Sequence, residues 1–527
     1  MINGNTLWGK EVEAQLSPVK FHETNFISFS GLPNSLYEML VSTASQSPAT
    51  IGLIDVDGQG YTYQHLLEIV DNFADYLLTE YGIQPGFCIG VLLHNGLNFY
   101  AAFLALSKLQ AISVMLPTKY KANEVHALIA KIELNLLIAD DCFQPWFVDL
   151  ACRQLYTDGL SDTFMTVKVS VTKDVVYPKQ LLERIAIYMF TSGTTSGSKV
   201  VELRALNIMH SIVAYQKLFA FDASLKTLVG TPLYHITGTV ALLGLSTYVG
   251  GTLVLHKYFK PKLFLEDVIK YEVNLVHASP AVFHMLLREA DNFPQLPLLK
   301  KFLCGSSKMP VTSILKIKEW LPNVAFHTIY GLTETSSPAT FFPEACATSR
   351  YLGSSGIPIP GLTFKIVDEA GDELPYNQNG EIVIKGTNIL SRYLSQTDSL
   401  DEDGWLHTGD IGYFNEDKYL YVIGRLSYII NHGGEKINPA DVESEINQIA
   451  GVLESVVVGI PDPILGEVTA ALVRLDEGYH YSAEEMREKL KGEIASFKIP
   501  SRFRFTDAIP LTKNMKIDNK AVKKMFR

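Results

Sequence analysis

The segment Thr191-Ser-Gly-Thr-Thr-Ser-Gly-Ser-Lys199 gathers small residues, hydroxyls and one cation in a single run. Gly193 and Gly197 let backbone N–H groups come close to an anion, because no Cβ stands in the way. Thr191, Ser192, Thr194 and Thr195 add hydroxyl donors, and Lys199 adds a point charge. That combination suits a phosphate. It is not a Walker loop, in which Ser or Thr follows Gly-Lys; here Lys199 lies between Ser198 and Val200. A Ser/Gly-rich turn has the same composition, so the run by itself leaves both readings open.

Further segments follow in order: Pro232-Leu-Tyr-His-Ile-Thr-Gly238, Tyr330-Gly-Leu-Thr-Glu-Thr335, Gly404-Trp-Leu-His-Thr-Gly-Asp-Ile-Gly412, Gly424-Arg425 through Gly433-Gly434-Glu-Lys-Ile-Asn-Pro439, and Thr512-Lys-Asn-Met-Lys-Ile-Asp518. Together with the 191–199 loop, these resemble the ordered motifs of the adenylate-forming superfamily: acyl- and aryl-CoA synthetases, luciferases and peptide-synthetase adenylation domains. The resemblance runs from about residue 35 to the C-terminus and is closest to the acyl/aryl-CoA ligases.

The resemblance implies a set of roles. Thr191, Ser192, Gly193, Thr194, Thr195 and Lys199 would hold the phosphates. Gly305, Ser306 and Ser307 would lie against adenine, with Thr328, Ile329, Tyr330, Gly331 and Thr333 completing the nucleotide site. Glu334 would hold Mg²⁺, a hard cation that prefers oxygen ligands. Asp410 would accept from the ribose hydroxyls, and Arg425 would donate there. His235, His277, Gly305 and Gly331 would shape the acid pocket, His235 standing where acyl- and aryl-CoA synthetases commonly carry histidine. Amino-acid-activating relatives place an aspartate near that point. None occurs in 232–238, and Asp222 is too far upstream. A buried α-ammonium needs a carboxylate partner, so the expected acid lacks an α-amino group. Lys516 and His235 are the expected catalytic residues, the lysine stabilising charge as pyrophosphate leaves. Gly433, Gly434 and Lys436 would line the thiol channel.

The implied reaction has two halves. ATP activates the acid as an acyl-adenylate; a small domain then turns about a hinge near Ser427, and a thiol takes the acyl group. The expected cofactors are ATP, Mg²⁺ and CoA, or a phosphopantetheine carrier in place of CoA. An acyl carrier protein or an amine is the alternative acceptor, and a degenerate adenylate-binding protein is a third reading. Some positions depart from the family pattern: Ser198 and Val200 flank the lysine in place of Pro and Gly, Ser427 occupies the hinge, Asn431 replaces a lysine of some aryl-CoA ligases, and Met515 precedes Lys516. Val200 predicts a far end of the loop unlike the family's.

The elements that must position these residues alternate. Apolar spacing predicts a helix within 61–81, a strand at Cys88–Leu93, a helix at Asn98–Leu109 and a strand at Ala111–Leu116. Ile185–Phe190 reads as the strand feeding the loop, followed by a helix at Asn207–Leu218, then strands at Leu253–Leu255, Leu275–His277 and Lys301–Leu303. This predicts an α/β fold of layered sheets. Short strands at Thr363–Asp368, Gly380–Lys385 and Tyr419–Ile423 suggest a β-rich subdomain over about 351–425. The expected organisation is therefore a large N-terminal domain, 1–425, and a smaller mobile α+β domain, 426–527, built from a helix at Pro439–Ile449, strands at Val452–Ile460 and Ala470–Leu475, and a helix at Ala483–Ile494.

At 527 residues the chain exceeds one core. A net charge of −11 argues against broad nucleic-acid binding. The tail reverses that sign, with twelve Lys/Arg against four acidic residues over 487–527; a solvated basic face and a site for phosphates or an acidic partner both fit. Five cysteines without zinc-ligand spacing fit reduced thiols in a cytoplasmic protein. No apolar run reaches the length of a membrane span; Val240–Val249 is stopped by Gly250-Gly251.

Overall fold

The computed structural model describes residues 1–21, 24–157, 181–191, 198–394, 399–512 and 516–526. By contacts the chain divides into two compact units. The larger comprises Ile2–Phe364 and Ile384–Leu406; the smaller comprises Met1, Lys365–Val383 and His407–Arg527. Residues 407–425 thus group with the C-terminal region.

Two sheets organise the larger unit. One has seven strands among the described residues, in the order Arg392–Tyr393, Lys199–Arg204, Ile185–Thr191, Ile112–Met115, Cys88–Leu92, Leu136–Ala139 and Arg153–Tyr156. The central strands Ile112–Met115 and Leu136–Ala139 are buried at every position and mostly apolar because both faces are covered. The helices that cover such strands start on local signals. Thr62 accepts from the His65 N–H and so begins Tyr63–Tyr81, two residues inside the predicted span, because Tyr61-Thr62 closes the strand Gly60–Thr62.

The strand feeding the loop appears as predicted, but the loop leads into a second strand. Ile185–Thr191 pairs antiparallel with Lys199–Arg204, in a register that sets Thr191 opposite Lys199. Lys199 therefore opens a strand, whereas the lysine of a Walker loop stands at the start of a helix. Val200 accordingly belongs to a strand, is 1 % exposed and packs with Leu116 and Tyr188 in the core. Its β-branched side chain suits that place; the position needs no glycine here.

The other sheet has nine strands among the described residues, ordered Ile357–Pro358, Thr340–Phe341, Ala325–Tyr330, Lys301–Cys304, Leu275–Ala278, Lys226–Val229, Thr252–Leu255, Ile51–Ile54 and Gly60–Thr62. The apolar run 240–249 forms a π-helical segment, Thr237–Gly244, running into the helix Leu245–Val249, and is buried through Thr247. No helix among the described residues is long and apolar enough to cross a membrane.

In the smaller unit Leu406–Phe414 pairs antiparallel with Leu420–Arg425. Beyond them Val452–Asp462 and Gly466–Leu475 form a long antiparallel pair, and Arg502–Phe505 lies parallel to the second of these strands. Alternation sends Val457, Ala471 and Val473 to one face, with Val442, Ile446, Met486 and Leu490. Val456, Val458, Ala470 and Leu472 go to the other, with Val522 and Phe526. Helices thus cover both faces: Pro439–Ile446 and Ala483–Leu490 on one, Asn519–Met525 on the other. The two predicted helices end earlier than expected, at Ile446 and Leu490.

Among the described residues of the larger unit, His210, His256, His277 and His327 are buried, and burial shifts three of them. His210 accepts from Ser28 at Nδ1 and donates from Nε2 to the Pro360 carbonyl, which fixes a neutral tautomer. Burial pushes it down to about 4 and His277 to about 3; His327 is also lowered by burial. Between these values and the ordinary histidine value near 6.5 the unfolded chain binds protons that the folded chain does not. Their contribution is complete above about pH 6.5 and is lost as pH falls. The urea midpoint of this unit should therefore drop from pH 7 to pH 5, with net proton uptake on unfolding. His210→Gln should flatten that slope by about one proton; a midpoint flat across the window would contradict this account.

Candidate active site

Four neighbouring strands of the larger sheet, Lys226–Val229, Leu275–Ala278, Lys301–Cys304 and Ala325–Tyr330, run parallel. Their register aligns Ala278 with Cys304 and Cys304 with Thr328, so these three strands end within about two residues of one another, Ala325–Tyr330 running furthest. The next strand after Lys226–Val229, Thr252–Leu255, lies on one side of it and the one after that, Leu275–Ala278, on the other. Crossovers that diverge in this way leave a crevice beyond the C-terminal ends of the strands, where open α/β sheets bind ligands. The segments expected to bind acid and nucleotide lie at or just beyond these strand ends: Pro232–Gly238, His277, Gly305–Ser307 and Tyr330–Thr335.

Backbone strain concentrates there. Ser306, Ser336 and Ser337 all have positive φ, at 72°, 54° and 93°, a conformation L-residues adopt only when their surroundings impose it. The turn after Tyr330 is closed by Ser337 N–H to the Leu332 carbonyl at 3.3 Å and Ala339 N–H to the Tyr330 carbonyl at 2.8 Å. The approach is so close that a Cβ at Gly331 would lie 1.5 Å from the Ser337 carbonyl oxygen. Gly331 is thus fixed by the turn that aims Thr333 and Glu334.

His277 is 2 % exposed, and its Nε2 lies 3.5 Å from where a Gly305 Cβ would stand. The Tyr215 ring is 5.8 Å away, and the Tyr215 hydroxyl lies 3.1 Å from Ser337 Oγ. Burial keeps His277 neutral, so this wall carries no charge. The His235 backbone is fixed by its N–H to Pro232 and by Thr239, which bonds back to its carbonyl at 3.0 Å; its ring stands 4.5 Å from that of Tyr234. Asn95 accepts from Leu233 N–H at 2.8 Å and steadies the whole segment.

Of the expected phosphate loop, Thr191 and Lys199 form the closing strand pair; Ser192, Gly193, Thr194 and Thr195 lie outside the described residues. Lys199 Nζ stands 4.5 Å from the centroid of the Tyr393 ring. The Tyr393 hydroxyl donates to Glu334 Oε1 at 2.8 Å. Among the described residues the other Glu334 oxygen has no hydrogen-bond partner. One oxygen fixed and one available, on a half-buried loop, suits an oxygen-seeking divalent cation.

In the smaller unit Asp410 and Arg425 face each other across paired strands, with Arg425 Nε 2.7 Å from Asp410 Oδ1. Asp410 is 6 % exposed, and its N–H donates to Thr408 Oγ1. Gly433 and Gly434, at φ 58° and 95°, form the two-residue turn between Ile430–His432 and Glu435–Ile437, which requires positive φ at both positions. Lys436 pairs with Glu369. Ser427 lies in the short helical turn Leu426–Tyr428. Lys516 closes a small loop, its carbonyl accepting from Thr512 N–H at 2.6 Å and its N–H donating to Thr512 Oγ1. Met515 lies outside the described residues.

Residues 40–394 match the family model described as AMP-binding enzyme. The chain belongs to the AMP-binding enzyme family. Residues 441–516 match the model of that family's C-terminal domain. This AMP-binding enzyme is 29% identical to the oxalate–CoA ligase of Arabidopsis thaliana, over 94% of this chain and 99% of the relative. It is 28% identical to a fatty acid–[acyl-carrier-protein] ligase, ScoC of Streptomyces coeruleorubidus, over 93% and 96%. Among solved structures it resembles o-succinylbenzoate CoA synthetase of Bacillus subtilis, with a TM-score of 0.81 at 27% identity. That protein has been solved with its acyl-adenylate, the alignment covering 92% of this chain and 97% of that one, and with ATP and magnesium ion, covering 92% and 99%.

Tyr393 has no counterpart among the sequence expectations. It reaches Glu334 because its strand pairs with Lys199–Arg204, and no local pattern near residue 393 signals that pairing. For this AMP-binding enzyme, Gly331→Ala should destabilise the larger unit by about 2–4 kcal/mol, since the turn must open. Gly60→Ala, whose Cβ would meet only ordinary contacts at 3.5 Å, should shift the thermal midpoint little. Equal shifts would show that closeness at Gly331 is not the constraint.

Proposed function

We propose that this enzyme uses ATP to activate a carboxylic acid lacking an α-amino group, and passes the acyl group from the adenylate to the thiol of CoA. The observation that carries the reading is Glu334, held by Tyr393 at the C-terminal end of a parallel sheet, in a chain that aligns with CoA ligases over nearly its full length. Mg²⁺ bound through Glu334 would neutralise charge on the phosphates. Tyr330 offers adenine a flat face, and Gly305–Ser307 backs it. Asp410, oriented by Arg425, accepts from the ribose hydroxyls. Thr191, Lys199 and the hydroxyls of the loop hold the phosphates. His235, neutral His277 and Gly331 shape the acid pocket. With no carboxylate in 232–238, an α-ammonium would be buried unpaired, at a cost of several kcal/mol or more.

In-line attack by the acid needs position and charge stabilisation more than covalent help. Lys516 supplies charge where the acid oxygen meets the α-phosphate. Gly433, Gly434 and Lys436 serve the thiol in the second half-reaction, with Ser427 as the hinge that exchanges the two. Transfer to a carrier-protein phosphopantetheine is the second reading, favoured by the likeness to ScoC. The five cysteines are all free thiols, which suits a cytoplasmic enzyme.

Acid-dependent exchange of labelled pyrophosphate into ATP, across a panel of acids, tests adenylation. Adding CoA or a phosphopantetheinyl carrier then identifies the acceptor. Exchange without CoA turnover would sink the CoA assignment and leave adenylation standing. Lys516→Ala should lower exchange at least ~100-fold yet largely spare thioester formation from preformed acyl-adenylate. Equal loss of both would contradict separate duties for the two half-reactions.

A further inference from the structure

Lys199 and Glu334 carry opposite charges in the same unit, and both address one aromatic ring. The cation lies over the Tyr393 face, 4.5 Å from its centroid, and the carboxylate takes the Tyr393 hydroxyl at 2.8 Å. The ring is 8 % exposed and has little freedom to turn away. Its strand is tied to the loop-bearing strand by Leu394 N–H to the Val200 carbonyl at 3.0 Å and Ser391 N–H to the Glu202 carbonyl at 3.0 Å. The same segment is tied to the Glu334 turn by Leu390 N–H to the Glu334 carbonyl at 2.7 Å. Asn388 Nδ2 adds bonds to the Thr335 and Pro338 carbonyls, each at 2.7 Å. Residues 388–394 are thus a brace between the strand that ends the phosphate loop and the turn that presents the carboxylate.

We infer that Tyr393 is a positioning residue that sets the metal affinity of Glu334 by keeping that carboxylate and Lys199 satisfied by different parts of one ring instead of by each other. The inference rests on the assignment of Glu334 as the metal carboxylate. A flexible lysine beside a carboxylate forms an ion pair, and a carboxylate so engaged is a poorer ligand for a divalent cation. The ring prevents this. Its face attracts the ammonium, while its hydroxyl fixes one carboxylate oxygen and leaves the other for the metal. The arrangement also couples the two groups, so that ordering the carboxylate orders the base of the phosphate loop.

The test uses the full-length enzyme with ATP and Mn²⁺ as a paramagnetic stand-in for Mg²⁺, the free Mn²⁺ signal being read by electron paramagnetic resonance. Hydrogen bonds to charged groups contribute enough that Tyr393→Phe should weaken Mn²⁺ binding in the presence of ATP about tenfold, and raise the Mg²⁺ concentration for half-maximal exchange by a like factor with kcat changed less. Tyr393→Leu, which also removes the ring face, should weaken it further. In a Glu334→Gln background, Tyr393→Phe should have no further effect on Mn²⁺ binding. A loss of equal size in both backgrounds would mean general damage to the fold and would overturn the inference. If Glu334→Gln weakens Mn²⁺ binding and Tyr393→Phe does not, the role of Tyr393 fails while the metal assignment stands. If Glu334→Gln itself leaves Mn²⁺ binding unchanged, the metal assignment fails, and this inference with it.

Discussion

Hydrogen bonding between parallel strands fixes more than strand spacing. Once Ala278 is in register with Cys304, and Cys304 with Thr328, the loops that leave those strands begin within about two residues of one another in height. Each then needs only a few residues to reach a common crevice. His277, Gly305–Ser307 and Tyr330–Glu334 are far apart in the chain, and they become neighbours because the sheet ends where it does. The positive φ values at Ser306, Ser336 and Ser337 fit the same constraint. Short loops leaving a fixed edge must turn sharply, and the packed sheet below holds the strain.

A second feature is how charge is managed near that edge. The wall containing His277, Tyr215 and Ser337 is neutral, and the opposite charges of Lys199 and Glu334 are both met by Tyr393. Uncompensated charge is excluded from the buried wall, where desolvation would be severe, and kept at the half-buried rim. In the smaller unit the buried Asp410 is paired with Arg425, which stands opposite it on the neighbouring strand. That unit is stable for a different reason: its long strand pair is covered by helices on both faces.

Much of this was legible in the residues. Short, mostly apolar stretches marked the buried parallel strands, and 3.6-residue spacing marked the helices between them. Boundaries slipped where a cap or a short strand intervened, as at Thr62, or where a helix ended a turn early, as at Ile446 and Leu490. The ordered motifs led to the family that the family models then matched. The strand Lys199–Arg204 went unread because its Val-Val pair is too brief to signal a strand. The expectation for Val200 changed with it, from an ill-fitting loop residue to a core residue.

Sequence alone determined the family, the two-part plan of α/β and α+β regions, and the types of group available for nucleotide chemistry, because periodicity and motif order are properties of neighbouring residues. It could not determine which distant groups meet. That Tyr393 touches Glu334, that Val200 packs beside Tyr188, and that Asp410 is buried against Arg425 depend on strand register, and register is set by the packing of whole sheets. The choice of tertiary partner rests on contacts such as Tyr393 with Glu334, 59 residues apart, and Arg392 with Glu202, 190 apart, and no local pattern records them.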